Sequence, residues 1–345
     1  MSKRPTQEDV ARLAGVSRAT VSYVINDRTG GNVRISEETR RRVLEAVEKL
    51  GYQPNVTARS LRTRRTQLLS VMVPDLTNAF YPLLIRGAQA VADEQDYQIL
   101  VYDSNDSPAR ERAFVSAMLR RWVDGVILVT FHLQAEDVAR LTRVGIPVVA
   151  VGGRLRTAEV DVVATRERLA VHEVMRHLIG LGHRRIAHMA GPQDTPPGKV
   201  RLQGYREALA EAGIPYDESL VRYGTFQRKG VADMVSSLFP QSGREDHPTA
   251  LFAANDVMAI EVIRTLIRQG WRVPEDVAVC GFDNVPEAEL VVPSLTTIGQ
   301  DAQAMGQRAA ELLLGRLNGQ EQTKVHRVSV PYHLMIREST LGTVT

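Results

Sequence analysis

The chain has 345 residues, 43% of them hydrophobic, and a formal net charge of +3. This length and apolar content are sufficient for two or more domains with buried cores. A single cysteine, Cys280, excludes an intramolecular disulfide framework and is typical of a reducing compartment. No apolar run approaches the roughly 18 residues that span a bilayer. The N-terminal MSKRPTQEDV lacks the apolar region of a secretory signal, so we expect a cytoplasmic protein without a membrane partner.

Positive charge is concentrated at the N-terminal end of the chain. Residues 1–67 contain 14 Lys and Arg against 7 Asp and Glu, whereas the remaining 278 residues contain 29 against 33. A basic region attached to a mildly acidic body indicates that this end meets an anionic partner such as DNA phosphates.

Residues 6–26, TQEDVARLAGVSRATVSYVIN, have the pattern of two short helices joined by a tight turn at Gly15. Thr6 and Ser17 are good N-cap residues for the two helices. An apolar stripe on the first helix is formed by Val10, Leu13 and Ala14. The second helix leaves an open face formed by Arg18, Ala19, Ser22 and Tyr23. This is the helix-turn-helix pattern that places a helix in the DNA major groove, although an ordinary helical hairpin inside a larger fold remains an alternative.

A third helix is predicted after Ser36 and ends at Gly51, so that three helices form a headpiece over residues 1–53. Residues 54–67 then form a linker that is compatible with a helix after Asn55 and carries four arginines. So short a helix is marginal in isolation, and we expect it to fold on its target. Leu61, a lone leucine among the arginines, is suited to a wedge between base steps; the alternative is a solvated linker.

From Leu68 onward, short β-branched runs alternate with amphipathic helices, which is typical of a parallel sheet covered by helices. Strands are predicted at LLSVMV (68), QILVY (98), GVILV (125), VVAVG (148), RIAHMA (185), ALFAA (250) and VAVCGF (277). The series is too long for one ordinary sheet and breaks near residues 157–168, so we expect two similar lobes with a ligand cleft between them.

Polar residues follow several of the predicted strands. They are Asp75, Asn78, Arg154, Asn255, Asp256, Asp283 and Asn284. Carboxylates and amides of this kind bind the hydroxyls or amines of a small polar ligand, although each of these residues is equally typical of turns and helix caps. An aromatic face for a sugar or a base is available from Phe80, Tyr81 and Phe226, each of which alone is more often a core residue.

Motifs for catalysis and cofactor binding are missing from the sequence. It contains no G-x-S-x-G elbow, no phosphate-binding G-x-x-x-x-G-K-[ST] loop and no H-E-x-x-H pair, and the VGG at 151 lacks dinucleotide-binding spacing. His172 and His177 are five residues apart and do not share a helix face. We therefore expect no enzyme activity, no metal site and no cofactor, and we interpret Cys280 as a packing residue.

The chain resembles the LacI/GalR family of bacterial transcriptional regulators over nearly its whole length. The resemblance is carried by DVARLAGVSRATVSYVIN, SEETRRRVLEAVEKLGYQPNVTARSL, RWVDGVIL, LIGLGHRRIAHMAGP, RLQGYREAL, ANDVMAIEVI and VAVCGFDNVPEAELVVPSLTTIGQD, in that order. It implies an α/β protein: an N-terminal all-α helix-turn-helix headpiece followed by a two-lobed periplasmic-binding-protein-like parallel-sheet effector domain over residues 68–345. Lobe 1 is expected at about 68–167 and 299–325, and lobe 2 at about 168–298 and 326–345.

The resemblance also implies roles for individual residues. Arg18, Ala19 and Tyr23 match major-groove readers, and Ser17, Thr20 and Ser22 match residues that face phosphates. Leu61 matches an intercalating hinge leucine, with Ala58 and Arg59 in the minor groove. The expected DNA-binding set is completed by Thr6, Asn26 and Asn55. The expected effector-binding set is Asn78, Phe80, Arg154, Arg201, Phe226, Asn255 and Asp283.

Three departures from the family pattern limit this transfer. The loop DRTGGNVRI is longer than usual, so its contacts cannot be copied. Thr165 and Arg166 stand where many relatives have Asp-Asn, which changes part of the ligand specificity. The chain ends without a leucine heptad, which favours a dimer over a tetramer.

The resulting hypothesis is a homodimeric, ligand-responsive regulator that binds a pseudo-palindromic operator, and specifically a repressor of sugar-utilisation genes. Three alternatives remain open at this point. The effector is a purine or another small metabolite; the protein is an activator; or it is a sugar-binding or sugar-modifying protein whose head is only a docking module.

Overall fold

A computed structural model of the chain describes residues 5–25, 35–53, 60, 65–155, 159–240, 247–320 and 324–341. The chain divides into two compact units, Met1–Thr66 and Gln67–Thr345.

The N-terminal unit contains the three predicted helices, α1 (Gln7–Ala14), α2 (Arg18–Ile25) and α3 (Glu37–Leu50). A reciprocal capping box starts α1, because Thr6 Oγ1 accepts from Asp9 N at 3.3 Å and Asp9 Oδ2 accepts from Thr6 N at 2.9 Å. Gly15 ends the helix in the left-handed region, at a φ of 65° that residues with a β-carbon rarely adopt. The tight turn between the first two helices is therefore fixed by local sequence.

The core of this unit is small and includes Val10, Ala14, Val21, Val24 and Val43. The predicted stripe on α1 is wrong at one position, because Leu13 is 46% exposed. Ala11 is buried instead, because it lies three residues before Ala14 and so shares the buried face of the helix.

The larger unit contains two six-stranded sheets, which form the two predicted lobes. The lobe 1 sheet has the order β11-β5-β4-β3-β1-β2 and is parallel throughout. Its strands are β1 (Leu68–Val73), β2 (Gln98–Asp103), β3 (Gly125–Val129), β4 (Val148–Val151), β5 (Asp161–Ala164) and β11 (Arg327–Ser329). The central strands are buried along nearly their whole length, and are almost entirely apolar, because helices cover both faces of the sheet.

The lobe 2 sheet has the order β12-β10-β9-β8-β6-β7, in which only β12 is antiparallel to its neighbour among the described pairs. Its strands are β6 (Ile186–Ala190), β7 (Val221–Tyr223), β8 (Ala250–Ala253), β9 (Ala278–Asp283), β10 (Thr296–Gln300) and β12 (Tyr332–Met335). Cys280 is buried in β9 among apolar residues, as expected for a packing residue.

The described helices of this unit lie between the strands. They are α4 (Phe80–Asp93), α5 (Pro108–Met118), α6 (Ala135–Arg143), α7 (Glu167–Gly180), α8 (Pro196–Glu211), α9 (Val231–Leu238), α10 (Asp256–Arg268), α11 (Glu287–Leu290), α12 (Ala302–Leu317) and α13 (Glu338–Leu341), with a short 3₁₀ turn at Glu218–Leu220. No helix among the described residues is long and apolar enough to cross a membrane.

The chain passes between the lobes three times, after β5, after β10 and after β11. This corrects the predicted lobe limits at the C-terminal end. Gly299 and Gln300 still pair within the lobe 2 sheet, and Arg327–Ser329 pair with β5 in lobe 1. The sequence RVS has no apolar run, so hydrophobic patterning could not detect this edge strand. The predicted break at 157–168 likewise contains β5, a central strand of only four residues.

Two glycines bring α4 and α12 into contact in the core of lobe 1. A β-carbon on Gly306 would lie 1.9 Å from the carbonyl oxygen of Leu84, and one on Gly87 would lie 2.0 Å from that of Gln303. The helix formed by residues after β10 therefore packs directly on the first helix of the lobe, and its side chains complete the same core cluster.

Candidate effector site and DNA-reading helix

All seven residues predicted to bind the effector line one cavity at the carboxyl ends of the strands of both sheets. The cavity encloses about 840 Å³, including solvent at its mouth. Asn78, Phe80 and Arg154 come from lobe 1, and Arg201, Phe226, Asn255 and Asp283 come from lobe 2. Parallel sheets bind ligands at this edge, because neighbouring strands diverge there and loop side chains converge.

Arg201 is buried at 5% exposure, and its charge is already engaged by protein groups. Its Nε donates to Glu167 at 2.9 Å, a terminal nitrogen donates to the Ala254 carbonyl, and the other lies 3.7 Å from Asp283. The guanidinium carbon lies 3.9 Å from the centre of the Phe282 ring. A buried cation needs this set of partners, so Arg201 is a fixed part of the cavity wall.

Asp283 ends β9 with a φ of 124°, a conformation that is unusual for a residue with a side chain. One carboxylate oxygen accepts from Gln300 Nε2 at 3.0 Å. Burial raises the pKa of the Asp283 carboxyl to about 7, while Arg201 lowers it and the charge of Asp256 raises it. This strained, desolvated acid at a strand end is typical of a functional site.

Asn255 is both a helix cap and a support for the aromatic wall. Its Oδ1 accepts from Met258 N at 3.0 Å at the start of α10, and its Nδ2 donates to the Phe226 carbonyl at 2.9 Å. Phe226 itself has a φ of 62°. Its ring lies over Gly191, where an added β-carbon would be 2.3 Å from the ring atoms. The amide of Asn255 therefore positions Phe226, in addition to lining the cavity.

On the lobe 1 side, Asn78 is part of a local turn, because its Oδ1 accepts from Phe80 N at 3.0 Å. No hydrogen bond of its amide nitrogen to a described residue is present, so this donor remains for a ligand. Arg154 donates through Nε to the Leu133 carbonyl at 3.1 Å and through a terminal nitrogen to the His132 carbonyl at 3.3 Å.

The loop of residues 130–133, to which Arg154 donates hydrogen bonds, is also held by a buried carboxylate that was not predicted from the sequence. Glu111 on α5 accepts from Thr130 Oγ1 at 2.5 Å and from the backbone nitrogens of Phe131, His132 and Leu133 at 3.0, 3.1 and 2.9 Å. Thr130 and Phe131 line the cavity. The Phe131 ring centre lies 6.1 Å from that of Phe226, so aromatic side chains of the two lobes meet across the cleft.

Several further cavity residues were not predicted. They include Asp106, Glu167, Pro196, Pro197, Gln300 and Met305. Most of them lie at helix starts or on the inter-lobe connections, where sequence patterns carry no signal for a binding site. Asp75 and Tyr81, which were singled out, also line the cavity.

Two of the polar strand-end residues have a structural role instead. Asp256 is fully buried and accepts from Val285 N at 2.9 Å and from Thr297 Oγ1 at 2.6 Å. Asn284 accepts from Arg337 at 2.8 Å. Neither lines the cavity. These residues fix the loop after β9, as expected of Asp and Asn in turns and caps.

In the N-terminal unit, α2 buries Val21 and Val24 and turns the predicted reading residues outward. Arg18 and Ala19 are exposed, and Thr20, Ser22 and Tyr23 are half-buried. Ser17 Oγ accepts from Thr20 N at 3.1 Å and so caps the helix, just as Thr6 caps α1. The remaining predicted DNA-binding residues, Asn26, Asn55, Ala58, Arg59 and Leu61, lie outside the described residues.

Comparison with known proteins identifies both units. Residues 6–55 match the family described as bacterial regulatory proteins, lacI family, and residues 175–340 match a periplasmic binding protein-like domain. The HTH-type transcriptional regulator CelR of Thermobifida fusca is 40% identical over 345 residues, with 98% of each chain covered.

Two solved structures are similar over nearly the whole chain. A transcriptional regulator CelR–cellobiose complex has a TM-score of 0.72 at 37% identity and covers 97% of this chain and 100% of its own. A lac repressor dimer bound to operator and the anti-inducer ONPF has a TM-score of 0.86 at 27% identity and covers 98% and 100%. The predicted fold class is thereby confirmed, and the chain belongs to the LacI family of bacterial transcriptional regulators.

Proposed function

We propose that this protein is a homodimeric, operator-binding repressor of sugar-utilisation genes whose DNA binding is controlled by a sugar. The observation that carries the proposal is a single chain with an outward-facing helix-turn-helix and a polar cavity lined by both lobes of a clamshell. The relatives compared are regulators, and the proposal accordingly assigns no catalysis. A protein of this kind acts on chromosomal DNA, so we place it in the cytoplasm.

The cavity has the two features that sugar recognition requires. Phe226, Phe131 and Phe80 present aromatic rings, against which the C–H faces of a pyranose pack. The Asn78 amide and the carboxylates of Asp75 and Asp283 present hydrogen-bonding groups to ring hydroxyls. The similar CelR structure is a cellobiose complex, which supports a sugar over a purine.

Exposed apolar residues support the homodimer. Leu290 is 78% and Val292 is 80% exposed in lobe 2, and Leu100 and Val101 are exposed on the edge strand β2 of lobe 1. Neighbouring exposed apolar side chains are candidates for an interface, and the similar lac repressor structure is a dimer. Replacing Leu290 and Val292 together with Asp should shift the sedimentation coefficient to that of a monomer. A double variant that remains dimeric would argue for another interface.

Two headpieces on a two-fold axis would read a pseudo-palindromic operator. Effector binding at a cavity shared by both lobes favours one lobe angle over another, and the linker of residues 54–67 carries that change to the headpiece. Leu61, the proposed wedge, would be ordered or released in this step. Leu61→Ala should weaken specific binding while leaving nonspecific binding almost unchanged.

The proposal is tested by fluorescence anisotropy of the full chain on operator duplex, with a panel of sugars and nucleobases. Specific, salt-dependent binding that one sugar alters by tenfold or more supports it. A thermal-shift measurement with the same ligands checks for direct binding, since a ligand of the native state raises the melting temperature. Response to a nucleobase alone would assign the purine alternative, and failure to bind any duplex at low salt would overturn the proposal.

A further inference from the structure

The wall of the effector cavity carries more negative than positive charge. Four carboxylates line it against two guanidinium groups, namely Asp75, Asp106, Glu167 and Asp283 against Arg154 and Arg201. A ligand that enters this cavity therefore meets a net negative surface when the carboxylates are ionised.

Only one of the two guanidinium groups, that of Arg154, is available to offset the charge of an anionic ligand. Arg201 is buried between Glu167 and Asp283, and its remaining terminal nitrogen donates to a backbone carbonyl. Arg154 has no carboxylate partner among the described residues, but two of its three nitrogens donate to the carbonyls of the loop 132–133. A ligand phosphate could therefore pair only with Arg154, in a wall that also holds four carboxylates, and like charges brought together without solvent repel strongly.

The pKa of Asp283 also reflects the excess of negative charge in the cavity wall. Burial is the main cause that raises its pKa to about 7, and the charges of Asp256 and Glu167 raise it further, whereas Arg201 alone among the nearby cations lowers it. An anionic ligand in the cavity would raise the free-energy cost of keeping Asp283 ionised. Asp283 would then either take up a proton or remain charged beside the ligand.

A second cavity adjoins the first and does not reverse the balance. The two share Asp75, Asn78, Phe226 and Gln227, so they are adjoining parts of one cleft. The outer cavity adds Arg228 and Lys229, which are exposed, but also Glu287. Together the two cavities are lined by five carboxylates and four cationic side chains, so the cleft as a whole lacks the cationic excess with which proteins bind phosphates.

From this geometry we infer that the cavity selects uncharged sugars and rejects their phosphorylated forms. The inference rests on the proposed function and adds the charge class of the effector. It also indicates which class of reaction supplies the effector. The step that supplies the signal must deliver the sugar without phosphorylating it, as uptake or hydrolysis of a glycoside does, and phosphorylation of the sugar removes the signal.

Isothermal titration calorimetry on the full-length protein with matched pairs tests the inference. The pairs are cellobiose and cellobiose 6′-phosphate, glucose and glucose 6-phosphate, and maltose and maltose 6′-phosphate. We expect the phosphorylated member of any pair that binds to be at least about tenfold weaker. A phosphorylated sugar that binds as tightly as its parent overturns this inference and leaves the proposed function intact. Binding of no sugar, with a response to nucleobases only, overturns both.

Charge-neutral variants make the test independent of ligand shape. Asp106→Asn and Glu167→Gln each remove one negative charge from the cavity wall. Each should reduce the ratio of dissociation constants, phosphorylated sugar over parent sugar, by threefold or more. Glu94→Gln removes an exposed carboxylate at the end of α4 and should leave the ratio unchanged. Should Glu167→Gln disturb folding through its Arg201 partner, the Asp106 variant decides, because that side chain is only half-buried. An unchanged ratio in the folded variants would refute an electrostatic cause.

Discussion

The buried carboxylate of Glu111 allows a sharp prediction about how the cavity is built. Its two oxygens accept four hydrogen bonds from the loop of residues 130–133, and the residue is fully buried. Glu111→Gln retains the shape of the side chain but replaces one oxygen with an NH₂ group. That group then faces a donor, the backbone nitrogen of Phe131, if the remaining oxygen keeps the other three bonds.

The expected cost follows from these contacts. Leaving the buried Phe131 N–H without an acceptor costs about 1–3 kcal/mol, and changing three charge-assisted bonds to neutral ones costs roughly 0.5–1 kcal/mol each. We therefore expect the free energy of unfolding to fall by about 2.5–6 kcal/mol. Because Thr130 and Phe131 line the cavity, effector affinity should fall as well.

Urea unfolding followed by circular dichroism measures the first effect, and calorimetric titration of the effector measures the second. Glu94→Gln, an exposed change of the same chemistry, should alter the unfolding free energy by less than about 0.5 kcal/mol. A loss below about 1 kcal/mol in Glu111→Gln, together with unchanged affinity, would refute the view that this carboxylate holds the cavity loop in place.

Three further predictions concern single residues. Arg18→Ala should reduce discrimination at one operator base pair by about 1–3 kcal/mol, as measured by anisotropy on a set of single-base variants, and an unaltered base preference would contradict the reading role. Gly191→Ala should displace the Phe226 ring and weaken effector binding about tenfold, whereas Gly180→Ala, where a β-carbon meets nothing within 4 Å, should have no effect in the same titration. Asp283 should make stability depend on pH: since its pKa rises from 3.8 to about 7 on folding, its contribution is full below about pH 4 and is lost as pH rises through about 7. Asp283→Asn should flatten the fall in unfolding free energy between about pH 4 and 7, although Asp256, with a pKa raised to about 6, retains part of that fall. An unchanged slope would reject the assignment.

The parts of the fold that were predictable from sequence are those with strong local signals. Thr6 and Gly15 mark the limits of α1 by capping chemistry, and the apolar run LLSVMV coincides with β1. Among the strands that were not predicted, β11 lacks such a signal. β11 has three residues without an apolar run, and it exists only because β5 offers it a backbone edge. Its position depends on tertiary pairing and not on its own sequence.

The residues of the binding cavity likewise differ in whether the local sequence marks them. Asn78 and Asp283 could be predicted because polar residues at or shortly after the end of an apolar strand are conspicuous. Glu111 was not, because it lies inside an ordinary helical sequence and acts through a loop about 20 residues further along the chain. Asp256 shows the converse error, since a conspicuous strand-end carboxylate turned out to be a buried acceptor for Val285. Sequence can therefore nominate positions, whereas the direction of each side chain is decided by packing.

Because the chain passes between the lobes three times, neither lobe can be completed early during protein synthesis. As the nascent polypeptide leaves the ribosome, lobe 1 has five of its strands by Ala164 but lacks α12, which packs on α4 through Gly306, and it lacks β11. Lobe 2 in turn waits for Tyr332–Met335. Both hydrophobic cores thus stay incomplete until β11 and β12 have been synthesised, so translation products that stop earlier expose apolar surface and are substrates for chaperones and proteases, whereas α1, α2 and α3 are complete by Leu50.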